Sequence, residues 1–570
     1  MFPSLCCGDW KYVRIVLAVL VFSVFATLAS AQTDTWIGNA GNWSDPTQWS
    51  NGVPVTGDNI VIGTTTANSI DDFSLAIGNL TLENSADLLT VADGVALTVS
   101  GTVANQGAIS LASVGTNTYL KVTSTANLSG SGTLTLGTGG PNFITGASGQ
   151  GTEMLSSANT IQGAGNIGNG LMGFSNNGTV IANRSAANLF IAVSSTGFNN
   201  TTGTLKAVTG GNLVIQGPAN SFANYNATTG KMTGGTYTAN GGNIYFAGRS
   251  KGITTLSARV TQVAGGQIIN TTTGTNALSN LSSITSTGAL NTSVGFTTPG
   301  AFNMEGTLDL LPGAVVNVGS LNQVVEGILT AGQWLLDSNV NITGAPPNID
   351  TNFASVTLSG GTFRNKDGSN AFATVNQNGG TLRIMNSTTF TPDANLSNGG
   401  LIVVGKGCKL IIRAGYDYEQ SGGKTLNDGL MANGVTIHSG MYMGAGSISG
   451  SLVVDGTFSV GDPGKSAIVQ ITGTWVQNSS GILSTGIGGT TVGTQYSQVQ
   501  AGHAQLAGTL AAPLLNGFTP TVGQTFTVVS ASTVTGTFSN TTIPINSSEH
   551  FAISYTTTTV VLTVVSGPAE

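Results

Sequence analysis

From residue 34 onward the chain is a succession of short apolar runs. Asn59-Ile60-Val61-Ile62-Gly63, Leu80-Thr81-Leu82, Leu97-Thr98-Val99 and Ala108-Ile109-Ser110-Leu111 alternate apolar with polar positions, and Gly, Asn or Asp bounds each run. The same texture continues at Gly132-Thr133-Leu134-Thr135-Leu136, Asn212-Leu213-Val214-Ile215, Asn243-Ile244-Tyr245-Phe246 and Gly306-Thr307-Leu308-Asp309-Leu310. A period of two turns one side of a strand inward and the other to solvent. Helical periodicity is nearly absent; Asn276 to Ile284 and Asn370 to Val375 are expected as short helical turns at most. The pattern predicts an all-β protein.

Two all-β arrangements fit short alternating strands. A sandwich closes each domain within about 100 residues, whereas a parallel β-helix winds strands into coils, each burying its apolar side on the coil below. Internal repetition favours the second. Gly265-Gly266-Gln267-Ile268-Ile269-Asn270, Asn276-Ala277-Leu278 and Phe296-Thr297 return as Gly360-Gly361-Thr362-Phe363-Arg364-Asn365, Asn370-Ala371-Phe372 and Phe390-Thr391, a spacing of 94 to 95 residues. At roughly 20 to 25 residues per coil, that spacing is four coils. The repeats cover about 240–330 and 331–420, within a solenoid expected over 61–450. Hairpin signals between strands are lacking, while Gly and Asn mark sharp corners.

The ends differ from the middle, as capping units do. Residues 32–60 hold Trp36, Trp43 and Trp49 within a few residues of one another. Bulky rings suit a cap over an open coil; flat rings also stack on sugars, which makes Trp36, Trp43 and Trp49 the candidate glycan contacts. Residues 451–570 are more β-branched and read as final coils followed by a β-rich closing unit.

Residues 1–31 carry the features of a secretory leader: Lys11 and Arg14, an apolar run from Ile15 to Leu28, and a small-x-small site at Ala29-Ser30-Ala31. The apolar run is shorter than a membrane span of about 20 residues, and nothing after residue 31 is apolar for long enough to form one. Removing the leader takes the formal charge from −7 to −8 and leaves Cys408 as the single cysteine, so no intramolecular disulfide is available. Mild acidity excludes the basic footprint of nucleic-acid binding. Only 7% of the chain is charged, against about a quarter in ordinary globular proteins; Ser, Thr and Asn supply the polar surface.

That scarcity limits the chemistry. Sugar hydrolysis needs two carboxylates within several ångströms. Asp71-Asp72 is the one adjacent pair after the leader, and strand alternation sends its members to opposite sides, so a solvated corner is expected. His438, His503 and His550 have no metal spacing, and calcium-binding Gly-Gly-x-Gly-x-Asp repeats are lacking. Cys408, between Lys406 and Lys409, is expected as a buried coil residue. The basic stretches Arg249 to Arg259 and Lys406 to Arg413 read as isolated solvated charges. Thr64-Thr65-Thr66 and Thr271-Thr272-Thr273 suggest a threonine face for ice or crystal surfaces, but the triplets do not recur at coil spacing. No catalytic residue, cofactor or metal ligand is assigned.

Three segments resemble secreted bacterial β-strand-repeat proteins of the autotransporter-passenger, adhesin type. These are Gly41-Asn42-Trp43-Ser44-Asp45-Pro46 with Trp49, Gly52, Pro54 and Asp58; the 94-residue unit; and Gly502 to Leu510 with Asn516-Gly517-Phe518-Thr519-Pro520 and Gly536-Thr537-Phe538. The resemblance implies a right-handed parallel β-helix, exported to the extracellular space or bacterial outer surface. It departs from the autotransporter plan in lacking a C-terminal translocation barrel of outward-alternating strands. The expected function is a non-enzymatic structural or adhesive solenoid whose long polar face contacts polysaccharide, extracellular matrix or another cell surface. The alternative is a polysaccharide lyase or glycoside hydrolase on the same scaffold.

Overall fold

The computed structural model describes residues 31–63, 66–218, 220–247, 251–345 and 347–568. The expected leader, apart from Ala31, lies outside them. Within them the chain is a parallel β-helix. Each complete coil carries strands on three faces, as in Val103–Asn105 on the first, Ala108–Leu111 on the second and Thr118–Val122 on the third. Each strand pairs in parallel with its counterpart one coil earlier and one coil later. The second face is continuous through twenty-one rungs from Ala40–Asn42 to Thr509–Ala511 and closes on nothing at either end. At about 4.8 Å per rung the stack is about 100 Å long.

The alternation read from sequence becomes interior columns. On the second face Leu89, Ile109, Leu134, Ile161, Val180 and Leu205 lie directly above one another and are fully buried. On the first face Phe174 and Phe198 stack at 5.6 Å with Phe222 continuing at 5.1 Å. Columns of like side chains fill a core of constant cross-section without requiring a new packing solution per coil.

The 94-residue period is four coils. Val260, Leu290, Leu308, Trp334 and Val356 are successive rungs, as are Thr307, Gln333, Ser355, Thr381 and Leu401. Individual coils are less uniform than the sequence reading expects. Thr204 pairs with Thr236 and Met441 with Thr457, so the first of these coils is twice as long as the second. Corner loops absorb such insertions outside the stack. The repeated Asn-Ala-Leu/Phe also has a structural role. Asn276 Oδ1 accepts from Leu278 N at 2.8 Å and Asn370 Oδ1 from Phe372 N at 3.0 Å. Ala277 N and Ala371 N donate back to Ile268 O and Phe363 O. The segment folds over as a tight loop that places Leu278 and Phe372 in the core.

Corners between the first and second faces recur as Asn-x-Gly or a close variant. Asn105, Asn176, Asn352 and Asn398 each accept from the backbone N–H two residues on, at 3.1–3.2 Å. On successive coils the amides at this corner also bond along the stack, Asn352 Nδ2 to Asn378 Oδ1 and Asn378 Nδ2 to Asn398 Oδ1, both at 2.8 Å. All three are buried, so these amides satisfy one another where water is excluded. Gly400 sits so close beneath the preceding coil that a Cβ there would lie 2.2 Å from Gly380 O.

Both ends are covered. At the start, Gln48 to Ser50 runs antiparallel to the free side of Thr33–Trp36, with Ile37 N donating to Gln48 O at 2.8 Å and Ser50 N to Thr35 O at 3.0 Å. Asp45 and Pro46 open a single 3₁₀ turn, Pro46–Gln48, in which Asp45 Oδ1 accepts from Thr47 N. At the other end, Thr525–Gly536 stacks in parallel on Gln498–Leu506, then pairs antiparallel with Thr559–Ser566. Glu549–Tyr555 and Thr542–Pro544 complete this sheet. The last strand is short and ends in Pro544, which blunts the exposed edge. Among the described residues no helix is long and apolar enough to cross a membrane.

Candidate functional site

Trp36, Trp43 and Trp49 are inside the N-terminal end. They are 0%, 0% and 3% exposed, and Trp49 meets both others edge to face, at 5.1 and 5.3 Å between ring centroids. Trp49 Nε1 donates to Trp43 O at 3.0 Å. Rings so covered offer no flat face to a sugar; in this arrangement their role is to seal the first coil.

The carboxylate pair divides as alternation requires, but its inner member is no solvated corner. Asp72 faces outward and accepts from Ser44 N and Ser44 Oγ at 3.0 and 2.6 Å. Asp71 is fully buried on the inward side of Asn68–Asp71, with no side-chain partner. Burial, reinforced by the charge of Asp72 and only partly offset by the Phe73 backbone, pushes its carboxyl up to about 8. The two carboxyls cannot act on one substrate.

The other sequence candidates stay apart. His438 and His503 are exposed on separate coils, and His550 Nδ1 lies 2.9 Å from Gly567 O in the closing sheet. Among the described residues no three His, Cys, Asp or Glu side chains gather as metal ligands. Cys408 is buried in its coil. Arg413 pairs with Asp393 at 2.6 Å, Lys251 donates to Thr228 O at 2.6 Å, and Lys406, Lys409 and Arg259 are exposed. Arg249, Thr64 and Thr65 lie outside the described residues. Threonines do align elsewhere, which the triplets did not suggest: Thr133, Thr160, Thr179, Thr204 and Thr236 form one outward column on the second face. The adjacent outward positions Gln162, Ile181 and Lys206 break any second threonine row.

The third face carries a feature that sequence reading missed. Tyr119, Phe143, Asn166, Phe190, Val214, Tyr245 and Ile269 occupy the same outward position on seven successive coils. All are half-buried. Tyr119 and Phe143 stack at 5.1 Å with planes 20° apart, close to the rung spacing, so the rings lie one above another along the coil axis. Tyr119 takes a hydrogen bond from Asn117 Nδ2 at 3.0 Å, and Lys121 Nζ sits 4.7 Å from its ring centroid. Beside this column runs a row of amides, Asn188, Asn212 and Asn243, in which Asn212 Nδ2 donates to Asn188 Oδ1 at 3.1 Å. The available signal was parity and spacing: each aromatic stands where its strand should be polar, and Tyr119, Phe143, Asn166, Phe190 and Val214 follow one another at nearly equal intervals.

The column is interrupted at Asn166. Phe143 and Phe190 are two coils apart, and between them opens a cleft of about 260 Å³ bordered by Gly165, Asn166 and Asn188. Asn166 Oδ1 turns back to accept from Asn169 N at 2.8 Å, which draws its side chain toward its own turn. No charged side chain borders the cleft. The face thus combines flat apolar rings with amides, the pairing that suits a ligand having apolar faces and hydroxyl edges.

No protein-family model matches the chain, and no curated protein matches it.

Proposed function

We propose that this parallel β-helix is an exported, non-enzymatic structural or adhesive rod that contacts glycans along its third face, at a bacterial surface or in the extracellular space. The observation that carries this reading is the outward column in which Tyr119, Phe143, Phe190 and Tyr245 stand in register on the first, second, fourth and sixth of successive coils, beside a row of asparagines. A solenoid repeats a surface position at fixed spacing, so weak contacts with a repeating polymer sum along its length. Extracellular matrix or another cell would be engaged through the same chemistry.

The test is binding of the chain without residues 1–31 to a panel of polysaccharides, by affinity electrophoresis. Retardation by at least one polysaccharide, weakened when Tyr119→Ala and Tyr245→Ala are combined, is the expected result. Mobility unaffected by every polysaccharide would end the glycan reading. Turnover of any of them would replace it with the lyase or hydrolase alternative. Export rests on the leader-like features of residues 1–31. Fractionation of producing cells should recover the chain outside the cytoplasm, shortened at or near Ala31; a full-length cytoplasmic product would overturn that part.

A further inference from the structure

We infer that the gap between Phe143 and Phe190 is a subsite for a single pyranose ring of a neutral polysaccharide. This rests on the glycan-contact reading and narrows it to one place and one sugar class.

Geometry comes first. Tyr119 covers one side of Phe143 along the coil axis, so the other side looks toward the next coil, where Asn166 stands in register. Phe190 follows one coil further. Two rungs separate the rings by about 9.6 Å. A planar guest at contact distances of about 3.5 Å on each side would fill only about 7 Å. A puckered six-membered ring with axial hydrogens on both faces is thicker and fills the remainder. The cleft, about 260 Å³, is smaller than the roughly 300–1,000 Å³ typical of drug-sized ligands, which points to one ring.

The polar groups agree with this. Asn166 Oδ1 is committed to Asn169 N and Asn188 Oδ1 to Asn212 Nδ2. Both residues border the cleft, and their Nδ2 groups are donors able to serve a guest's hydroxyl oxygens. Carboxylate, phosphate and ammonium guests find no counter-charge among the bordering residues and would be desolvated without compensation. A neutral sugar carries no such penalty. Gly165, beside Asn166, lets this coil pack close on the one before it: a Cβ there would lie 2.6 Å from both Asn142 O and Leu136 Cδ2.

The experiment titrates the chain without residues 1–31, by calorimetry, with soluble oligosaccharides of glucose and of N-acetylglucosamine, and with oligogalacturonate as the acidic comparison. Neutral oligosaccharide should bind and the acidic one should not. Phe190→Ala should weaken binding about tenfold, the equivalent of about 1.4 kcal/mol. Asn166→Phe, which continues the ring column through the gap, should abolish it. Thr179→Ala, on the second face and away from the ring column, should leave oligosaccharide affinity within about twofold. Unchanged melting temperatures would show that each variant is folded. If Asn166→Phe binds like the original chain, or the acidic oligosaccharide binds better, the subsite is overturned. If Tyr119→Ala and Tyr245→Ala weaken polysaccharide binding while Phe190→Ala and Asn166→Phe do not, the subsite falls and the wider face stands. If no sugar binds and sedimentation shows self-association lost on Phe190→Ala, the column serves a second copy of this chain, and both readings fall.

Discussion

At the scale of single residues, Asp71 is the most exacting position. Its carboxyl, ordinarily near 3.8, is raised to about 8 by burial, so between about pH 4 and pH 8 the folded chain holds a proton that the unfolded chain has released. Stability from this group is fully present below about pH 4 and is lost as pH rises through about 8. Asp71→Asn should therefore raise the melting temperature at pH 8.5 and have little effect at pH 4, checked by thermal melts across that range; an equal effect at both ends would contradict the assignment. Asn378 carries the opposite logic. It receives a hydrogen bond from Asn352 and gives one to Asn398, all three buried. Asn378→Ala should cost about 1–3 kcal/mol in denaturant unfolding, since its neighbours lose partners that water cannot replace. Gly400→Ala should also destabilise, because the backbone above leaves no room for a methyl group. These residues were unequally legible. Asn and Gly announced corners by their recurrence, whereas the burial of Asp71 was hidden in an otherwise ordinary polar dipeptide.

Among the elements, the strands were the most readable part of the chain, because alternation is a local property and the inward residues of one strand are fixed by its own sequence. Partnership between strands was less readable. The step from rung to rung varies by a factor of two, from Met441–Thr457 to Thr204–Thr236, so no single period links positions across the whole chain. Only in the 94-residue unit, where four unequal coils recur in the same order, did spacing reveal stacking. The aromatic column stayed hidden for another reason: its members are single outward residues in different strands and gain meaning only in register. Sequence reading turned instead to the densest local cluster, the three tryptophans, and density there reflects sealing an end. Trp49, held edge to face between Trp36 and Trp43, should be worth about 3–5 kcal/mol to the N-terminal coils. Trp49→Ala should expose the first strands to hydrogen exchange well before those near residue 400. Uniform loss of protection along the chain would show that the cap has no local role.

For the molecule as a whole, a stack about 100 Å long differs measurably from a globule of equal mass. A compact chain of this size has a radius of gyration of about 25 Å; the rod's length alone gives about 29 Å, and small-angle scattering separates the two. Its length also bears on how the chain acquires structure. Every rung on the second face is joined to the next through a single coil, and the longest coil is only twice the shortest. Loop-closure entropy rises by only about 0.6 kcal/mol for each doubling of length, so the two extremes differ by about that amount. No step along the stack is a bottleneck of topology, and none waits for a distant segment. Cys408 has no cysteine partner in the described chain, so no cross-link must form or be undone. A chain of this design can emerge through a narrow passage unfolded and order itself coil upon coil on the far side, each new rung templated by the last and preventing the segment behind it from slipping back.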